Sequence, residues 1–284
     1  MKVSLITVTY NSAIYLQDCL NSVISQQYPD IEHIIVDGGS TDGTLDVIKQ
    51  NENHISKWIS EADKGMYDAI NKGMTMATGD VVGILNCDDM FASSDVISAI
   101  VGCFNEYKLD AVYGDLVYVN KINTNKVIRL WKGFTYSRFR FNYGWMPAHP
   151  TFYVRRELIK EIGGYETHYF TAADYEFMAR YLYRFRISAR YLPKLIVKMR
   201  VGGQSNITIK GRLRANRRDY LAMKKNLIPF PLLASVLKPI IKLHQYYYSL
   251  FHKLEVEQSN PDCLKGNLTT PVTYSKLKNG VSSS

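Results

Sequence analysis

The chain has 284 residues, of which 46% are hydrophobic and 21% are charged, and its formal net charge at neutral pH is +9. This length and composition exclude a disordered or fibrous protein and indicate one globular domain with room for an appendage. The positive charge predicts an anionic partner, such as a nucleic acid, a membrane surface or a phosphorylated substrate.

The first hundred residues alternate predicted strands and helices. Residues 3–9 form a near-continuous apolar run, which is typical of a strand buried on both faces. A helix with apolar positions from Leu16 to Ile24 follows it. The alternation continues with strands within 32–37, 57–63 and 80–86 and with helices within 65–77 and 95–104. This order predicts an α/β fold, a mainly parallel sheet flanked by helices.

Polar side chains stand at or just after the ends of these strands. In a parallel sheet the carboxyl ends of strands meet at one edge, where ligands bind. The residues concerned are Asn11, Asp37, Glu61, Asp63, Asp88 and Asp89. Asp88 and Asp89 repel each other, and their removal from water costs several kcal/mol unless a cation compensates them, an order-of-magnitude figure. The sequence therefore predicts a cation-assisted binding site at this edge.

The pattern changes after Asp110 to longer predicted strands, with helices at 155–164 and 174–184. The strands fall within 110–120, 148–154 and 187–201. We interpret residues 1–205 as one domain with halves 1–120 and 121–205. Residues 206–258 combine basic residues with apolar and aromatic stretches, which predicts a basic, mostly helical C-terminal extension, and the polar residues 259–284 predict a flexible tail.

Seven motifs occur in a fixed order along the first two hundred residues. They are "ITVTYN", "VDGGSTDGT", "SEADKGMYDAINKG", "LNCDD", "HPTFYVRREL" followed by "GGY", "DYEFMAR" and "GGQSN". Together they resemble the family 2 glycosyltransferases, nucleotide-sugar-dependent enzymes with the Rossmann-like GT-A fold. The closest branch builds bacterial capsule, exopolysaccharide or lipopolysaccharide O-antigen units. The resemblance implies that residues 1–120 bind a nucleotide sugar and that residues 121–205 form the acceptor side.

The resemblance makes "LNCDD" a metal- and nucleotide-binding motif. Asp88 would be a metal ligand with Asp89 beside it, and Mn²⁺ or Mg²⁺, which prefer oxygen ligands, would stabilise the diphosphate leaving group. Asn86 stands where many members have an aspartate, so we expect weaker metal binding, although its amide can still hydrogen-bond the ribose. The structural alternative is a solvated turn with two exposed acids.

The resemblance also implies a donor pocket in the loops after the other strands. Its residues would be Thr9, Asn11, Asp37, Glu61, Asp63, Gly65 and Lys72. Asp37 would help to hold the base, and the alternative is an Asx turn that only shapes the backbone. Lys72 would bind phosphate, or would instead form a helix-surface ion pair with Asp68.

Asp174 is the predicted catalytic base, because it stands where the family keeps that aspartate. An inverting transfer needs one base to remove the proton of the acceptor hydroxyl during in-line attack. The alternative is a helix N-cap. Ala173 replaces the glutamate that often precedes the base, and Glu176 could supply the missing contact.

Three further residues are predicted on the acceptor or diphosphate side. His149 precedes a predicted strand, where a lone histidine is as often structural. Gly203 and Ser205 belong to a loop that, by the resemblance, closes near the diphosphate.

The basic extension predicts a membrane-associated enzyme. Aromatic and aliphatic stretches between cations suit a helix in a bilayer interface, and many enzymes of this branch act on lipid-diphosphate-linked sugars. Four cysteines without metal-ligand spacing indicate a reducing compartment, and neither a signal peptide nor a spanning segment is recognisable. We therefore expect a cytoplasmic protein bound peripherally to the inner face of the cytoplasmic membrane. The alternative is an ordinary solvated helix face.

The sequence thus predicts an inverting, metal-dependent hexosyltransferase that uses a UDP-sugar and a lipid-linked or glycan acceptor in surface polysaccharide synthesis. A catalytically weakened nucleotide-sugar-binding protein stays open, because Asn86 and Ala173 both depart from the family pattern. A nucleic-acid-binding protein would fit the charge and the 21 tyrosines. However, acids at strand ends repel phosphate unless a metal intervenes, so no nucleic-acid partner is expected. A sugar-nucleotide pyrophosphorylase would need a glycine- and arginine-rich loop after the first strand, where this chain has "TVTYNSAIY".

Overall fold

The computed structural model describes residues 1–202 and 209–238, and within these residues nine strands form one sheet. The strands are β1 Val3–Thr9, β2 Ile31–Asp37, β3 Lys57–Ser60, β4 Val81–Ile84, β5 Asp89–Phe91, β6 Ala111–Val119, β7 Val127–Trp131, β8 Tyr153–Arg155 and β9 Ala189–Arg200. The helices are α1 Ala13–Ile24, α2 Thr44–Gln50, α3 Met66–Met76, α4 Val96–Tyr107, α5 Arg156–Ile162, α6 Ala173–Met178 and α7 Ile209–Lys225. A π-helical turn at Ala179–Arg184 continues α6, and residues 231–238 are helical.

The strands are ordered β3-β2-β1-β4-β8-β6-β9-β5. β7 lies outside this order and pairs with β6. The pairs β1–β2, β1–β4, β2–β3 and β6–β9 are parallel. β8 joins the two parallel groups by antiparallel pairing with β4 and β6. The predicted α/β architecture is confirmed, and the carboxyl ends of β1 to β4 share one edge.

Close packing against α3 and β8 fixes the elements that carry this edge. β1 and β4 are buried along their whole length. A Cβ at Gly73 of α3 would come within 2.5 Å of Ile6 Cγ2 in β1, and a Cβ at Gly83 would meet the Tyr153 ring of β8 at 2.1 Å. The missing side chains let α3 lie close to β1 and let the Tyr153 ring of β8 lie over β4.

Two strands and one turn differ from the sequence-based expectation. β5 and β7 were not predicted. β5 has only three residues, which is too short for a recognisable pattern. The strand expected over 148–154 is instead a 3₁₀ turn at His149–Thr151 followed by β8. Pro150 cannot donate a backbone hydrogen bond and occupies the start of the turn, while Thr151 Oγ1 donates to the Ala148 carbonyl at 2.8 Å.

The described part of the C-terminal extension is helical and packs against the domain. Lys225 of α7 pairs with Glu176 of α6 at 3.1 Å, and Lys238 pairs with Asp219 at 2.6 Å. Residues 239–258 and the expected tail 259–284 lie outside the described residues. Of the helices that the structure describes, none combines the length and hydrophobicity that a membrane span requires.

Candidate active site

The turn after β4 gives Asp88 and Asp89 different environments. Asp89 opens β5, is fully buried and accepts a hydrogen bond from Asn86 Nδ2 at 3.2 Å. Burial and then the negative charge of Asp88 raise the pKa of Asp89 well above its ordinary value. Asp88 is only partly buried. Burial raises its pKa, and the positive charges of Arg200 and Lys121 oppose that rise.

Arg200, at the end of β9, supplies positive charge next to the turn. Its Nη1 donates to the Asp88 carbonyl at 3.0 Å, and its Nη2 pairs with Asp18 of α1. The side chain is nearly buried. We did not single out Arg200 from the sequence, although it directly precedes the "VGGQSN" segment.

The turn fits a divalent cation that arrives with a diphosphate. Asn86 Oδ1 and Asp89 Oδ1 are buried oxygens without a hydrogen-bond partner among the described residues. The described chain contains no group of three or more His, Cys, Asp or Glu side chains that could enclose a metal. Mg²⁺ is commonly held by one or two carboxylates together with substrate phosphates and water, so a complete protein cage is not required. Asp88 is the carboxylate that solvent reaches.

Asp37 organises the loop after β2. Its Oδ2 accepts hydrogen bonds from Gly39 N at 3.1 Å, Ser40 N at 2.9 Å and Ser60 Oγ at 2.6 Å. The structure therefore contains the predicted Asx-type turn. Asp37 also joins the ends of β2 and β3, because Ser60 closes β3.

The loops after β1, β2 and β3 meet as predicted. Gly38 N donates to the carbonyl of Thr9, which is buried, at 2.9 Å. Asn11 Oδ1 accepts a hydrogen bond from Thr41 N at 2.8 Å. A Cβ on Gly38 would come within 2.5 Å of Asp63 Oδ2, so this glycine allows the β3 loop to lie against the β2 loop.

The segment before α3 contains the remaining donor-side residues. Asp63 Oδ1 accepts a hydrogen bond from Gly65 N at 2.7 Å, and Gly65 has a φ of 111°, which favours glycine. Lys72 pairs with Glu61 at 2.8 Å and donates to the Ala62 carbonyl at 3.0 Å. The ion-pair alternative was therefore right in kind, but the partner is Glu61 and not Asp68.

Asp174 lies in the first turn of α6 and faces His149. The N-cap of α6 is Ala172, so Asp174 is not the cap that the sequence left as an alternative. Its Oδ2 lies 3.5 Å from His149 Nδ1, and both side chains are mostly buried. The 3₁₀ turn and α6 thus bring together two of the predicted residues.

Tyr67 and Tyr165 connect α3 to the helix that carries Asp174. Burial and then the charge of Asp174 raise the pKa of Tyr67 well above its ordinary value. The Tyr67 ring stacks on Tyr165 at 5.2 Å, and Tyr165 stacks on Phe177 of α6 at 4.3 Å. Asn71 of α3 exchanges two hydrogen bonds of 2.8 Å with the backbone of Tyr165. These contacts were not predicted.

Tyr118 lies within electrostatic range of both predicted sites. Burial raises the pKa of Tyr118, Arg129 opposes this rise, and the charges of Asp89 and Asp174 add to it. Tyr118 therefore lies near both the "LNCDD" turn and the helix that carries Asp174.

The structure does not support the acceptor-side role expected for Glu176, and it does not describe the two loop residues predicted on that side. Glu176 is fully buried, pairs with Arg180 at 3.1 Å and Lys225 at 3.1 Å, and accepts from Asn226 Nδ2 at 3.3 Å. A side chain in this position is not available to an acceptor, which corrects the role expected for Glu176. Gly203 and Ser205 lie outside the described residues.

Comparison with known proteins identifies the family. The family described as "Glycosyl transferase family 2" matches residues 4–163. The chain belongs to glycosyl transferase family 2. The predicted family and the predicted general activity, glycosyl transfer, are thereby confirmed.

Curated relatives are also glycosyltransferases. A "PGL/p-HBAD biosynthesis glycosyltransferase" of Mycobacterium tuberculosis is 31% identical over 211 residues, which cover 72% of this chain and 80% of the relative. An "Uncharacterized glycosyltransferase" of Nostoc sp. is 36% identical over 139 residues, which cover 44% of this chain and 41% of the relative.

Solved structures confirm the GT-A fold of this family 2 member. S. aureus TarS residues 1–349 in complex with UDP-GlcNAc has a TM-score of 0.64 at 20% identity and covers 88% of this chain and 73% of TarS. The mannosyltransferase PcManGT of Pyrobaculum calidifontis, in complex with GDP-Man and Mn²⁺, has a TM-score of 0.59 at 21% identity and covers 86% and 69% of the two chains.

Proposed function

We propose that this protein is an inverting hexosyltransferase that moves a sugar from a UDP-sugar to a hydroxyl group of a lipid-linked or growing glycan acceptor in bacterial surface polysaccharide synthesis. The observation that carries the proposal is the joint placement of two carboxylate sites. The Asp88 turn lies at the strand ends, Asp174 faces His149, and Tyr118 lies within electrostatic range of Asp89 and of Asp174.

The donor assignment follows from the family and from the loops at the sheet edge. TarS was solved with UDP-GlcNAc and with UDP, which supports a uridine nucleotide. We assign the base to the loops carrying Thr9, Asn11 and Asp37, and the diphosphate to the region of Asp63, Gly65 and Asp88. Lys72 can reach a phosphate only by leaving Glu61, because the two are paired at 2.8 Å.

Metal dependence belongs to the same proposal. PcManGT was solved with Mn²⁺, and in this chain Asp88, with Asn86 and Asp89 behind it, would hold Mn²⁺ or Mg²⁺. Such an ion supplies Lewis-acid stabilisation of negative charge on the leaving diphosphate.

Asp174 acts as the general base in this proposal. Its carboxylate takes the proton of the acceptor hydroxyl as the oxygen attacks the sugar carbon on the face opposite the nucleotide. His149 holds the carboxylate in place, and the Tyr67 hydroxyl lies within electrostatic range of it. A single base without a second catalytic carboxylate supports inversion.

The C-terminal extension is proposed to bind the inner face of the cytoplasmic membrane. Leu227 and Phe230 are 72% and 75% exposed, and Leu232, Leu233 and Val236 are also exposed. They follow α7, whose residues Arg214, Arg217, Arg218, Lys224 and Lys225 are basic. Exposed apolar groups beside cations complement an anionic lipid surface. We keep residues 206–258 as this unit and 1–120 and 121–205 as the donor and acceptor halves.

A panel of nucleotide sugars tests the proposed reaction. Purified protein is screened for thermal stabilisation and for donor hydrolysis with Mn²⁺ or EDTA. We expect a UDP-sugar to stabilise the protein and to be hydrolysed only with metal. The Asp174→Asn variant should keep the thermal stabilisation by the donor, but its turnover should fall about 10²- to 10⁴-fold.

Two outcomes would contradict the proposal. If no nucleotide diphosphate sugar stabilises the protein with or without metal, the weakened binding protein becomes the better description. If Asp174→Asn hydrolyses the donor at the wild-type rate, the base lies elsewhere.

A further inference from the structure

A basic groove lies between α7 and the 3₁₀ segment Thr167–Ala172, immediately before the catalytic helix. Its volume is about 480 Å³, and it is lined by His168, Tyr169, Arg218, Leu221, Lys224 and Lys225. None of the predicted donor-side or catalytic residues lines it. The groove is therefore separate from the candidate active site.

Two of the cations in this groove have no carboxylate partner within the described residues. Lys225 is paired with Glu166 and, at 3.1 Å, with Glu176. Glu166 also lies 3.6 Å from His168. Arg218 and Lys224 form none of the ion pairs in the described chain, so their positive charge is available to an external anion.

Phe170 holds one of these cations and presents an apolar surface beside it. The Arg218 guanidinium lies 4.2 Å from the centre of the Phe170 ring. Phe170 has a φ of 48° and a ψ of −121°, and 56% of it is exposed. A non-glycine residue in such a conformation is strained, and such strain concentrates at functional positions.

Exposed apolar residues lie in the groove and in the chain that follows α7. Leu221 lines it and is exposed, and Leu227 and Phe230 follow at the end of α7. A ligand that satisfies both features carries a phosphate for Arg218 and Lys224 and a hydrocarbon chain for the apolar residues. A soluble phosphate would use only the first feature.

We propose that this groove is a headgroup site that binds the phosphate of a membrane lipid. The inference rests on the proposed membrane association and deepens it, because it names the residues that select an anionic lipid. Lipid bound here would also hold the 3₁₀ segment, which leads directly into the helix that carries Asp174.

Vesicle binding with matched double variants tests the groove. Binding of the full chain to phosphatidylcholine vesicles with and without phosphatidylglycerol is measured by co-sedimentation. The groove pair Arg218→Ala and Lys224→Ala is compared with Arg214→Ala and Arg217→Ala, which remove the same charge from the same helix outside the groove. We expect the partition coefficient for anionic vesicles to fall about tenfold in the groove double variant. In the control double variant it should fall at most about threefold.

Each of the other outcomes overturns the assignment. Equal losses from the two pairs would show unspecific electrostatic binding, and the membrane proposal would stand without the groove. Loss of inorganic phosphate binding by the groove pair, with vesicle binding retained, would assign the groove to a soluble phosphate. Absence of wild-type binding to anionic vesicles would refute both the groove and the membrane association.

UDP-sugar stabilisation, measured on the same proteins without vesicles, separates this test from the proposed reaction. It should be equal in the wild type and in both pairs, since none of the four residues belongs to the donor site. Leu221→Ser provides a further variant that leaves the charge unchanged. It should weaken binding to anionic vesicles, and unchanged binding would remove the apolar half of the argument.

Discussion

Asp88 and Asp89 show how one turn separates two identical side chains. Asp89 enters β5, where Asp89 pairs with Met199, and its carboxylate points into the protein. Burial raises its pKa, and Asn86 donates a hydrogen bond to it. Asp88 stays at the surface of the turn. The repulsion expected from the sequence is thus reduced by different environments and by Arg200.

His33 provides a residue-scale prediction about stability. It is buried in β2, its Nε2 lies 2.9 Å from Thr7 Oγ1, and burial lowers its pKa from 6.5 to about 4. The unfolded chain binds a proton near pH 6.5 and the folded chain does not. The contribution of neutral His33 to the free energy of unfolding is therefore fully present above pH 6.5. It decreases by up to about 3 kcal/mol as the pH falls towards 4.

Urea unfolding of His33→Gln between pH 7 and pH 4 checks this prediction. The variant should lose less stability over that window than the wild type. His54→Gln, which changes an exposed histidine, is the matched control and should follow the wild type. Parallel curves for His33→Gln and the wild type would show that His33 is protonated equally in both states.

At the scale of elements, α3 and α6 form one unit through Tyr67, Asn71 and Tyr165. Tyr67→Phe keeps the ring stack and removes only the hydroxyl that lies within electrostatic range of Asp174. We expect turnover to fall about ten- to a hundredfold because the base is no longer held in place. The donor KM should stay within about twofold, since the donor loops are not changed.

Tyr28→Phe is the control for this pair of helices. Tyr28 is a partly buried tyrosine whose hydroxyl donates a hydrogen bond to the Met1 carbonyl at 2.5 Å, away from α6. Its turnover should equal that of the wild type. Equal turnover of Tyr67→Phe and Tyr28→Phe would mean that the hydroxyl of Tyr67 does not position Asp174.

The local sequence pattern predicts secondary-structure elements better than it predicts which side chains pair with each other. Strand ends, the head of α6 and the donor-side loops followed from periodicity and motifs. The partner of Lys72 did not, because helical spacing favoured Asp68 while the chain before α3 folds back and brings Glu61 to it. Arg200 and Asp88 are 112 residues apart, so no local signal connects them.

The misassignment of Glu176 has a simple geometric reason. Consecutive helical residues are rotated by about 100°, so residues two apart lie on nearly opposite faces. Asp174 faces His149, and Glu176 accordingly faces α7. The periodicity of α6 contained this information.

At the scale of the whole molecule, the sheet separates carboxylates that hold the fold together from those that we propose bind a ligand. β4 has an aspartate before its first residue and the "LNCDD" turn after its last. Asp80, at the first end, accepts a hydrogen bond from Lys2 N at 2.8 Å, and nearby Glu32 accepts from Ser4 Oγ at 2.6 Å. Asp88, at the other end, is the carboxylate left for a ligand. The central claim is that Asp88 binds a metal–diphosphate complex.

Calorimetric titration of UDP with Mn²⁺ tests this claim most directly, using the wild type, Asp88→Asn and, as the control at the opposite end of the same strand, Asp80→Asn. The account predicts that Asp88→Asn binds UDP about tenfold or more weakly and no longer responds to EDTA, because the metal contributes several kcal/mol of charge stabilisation. Asp80→Asn should bind as the wild type does. Wild-type affinity and an unchanged EDTA response in Asp88→Asn would contradict the account.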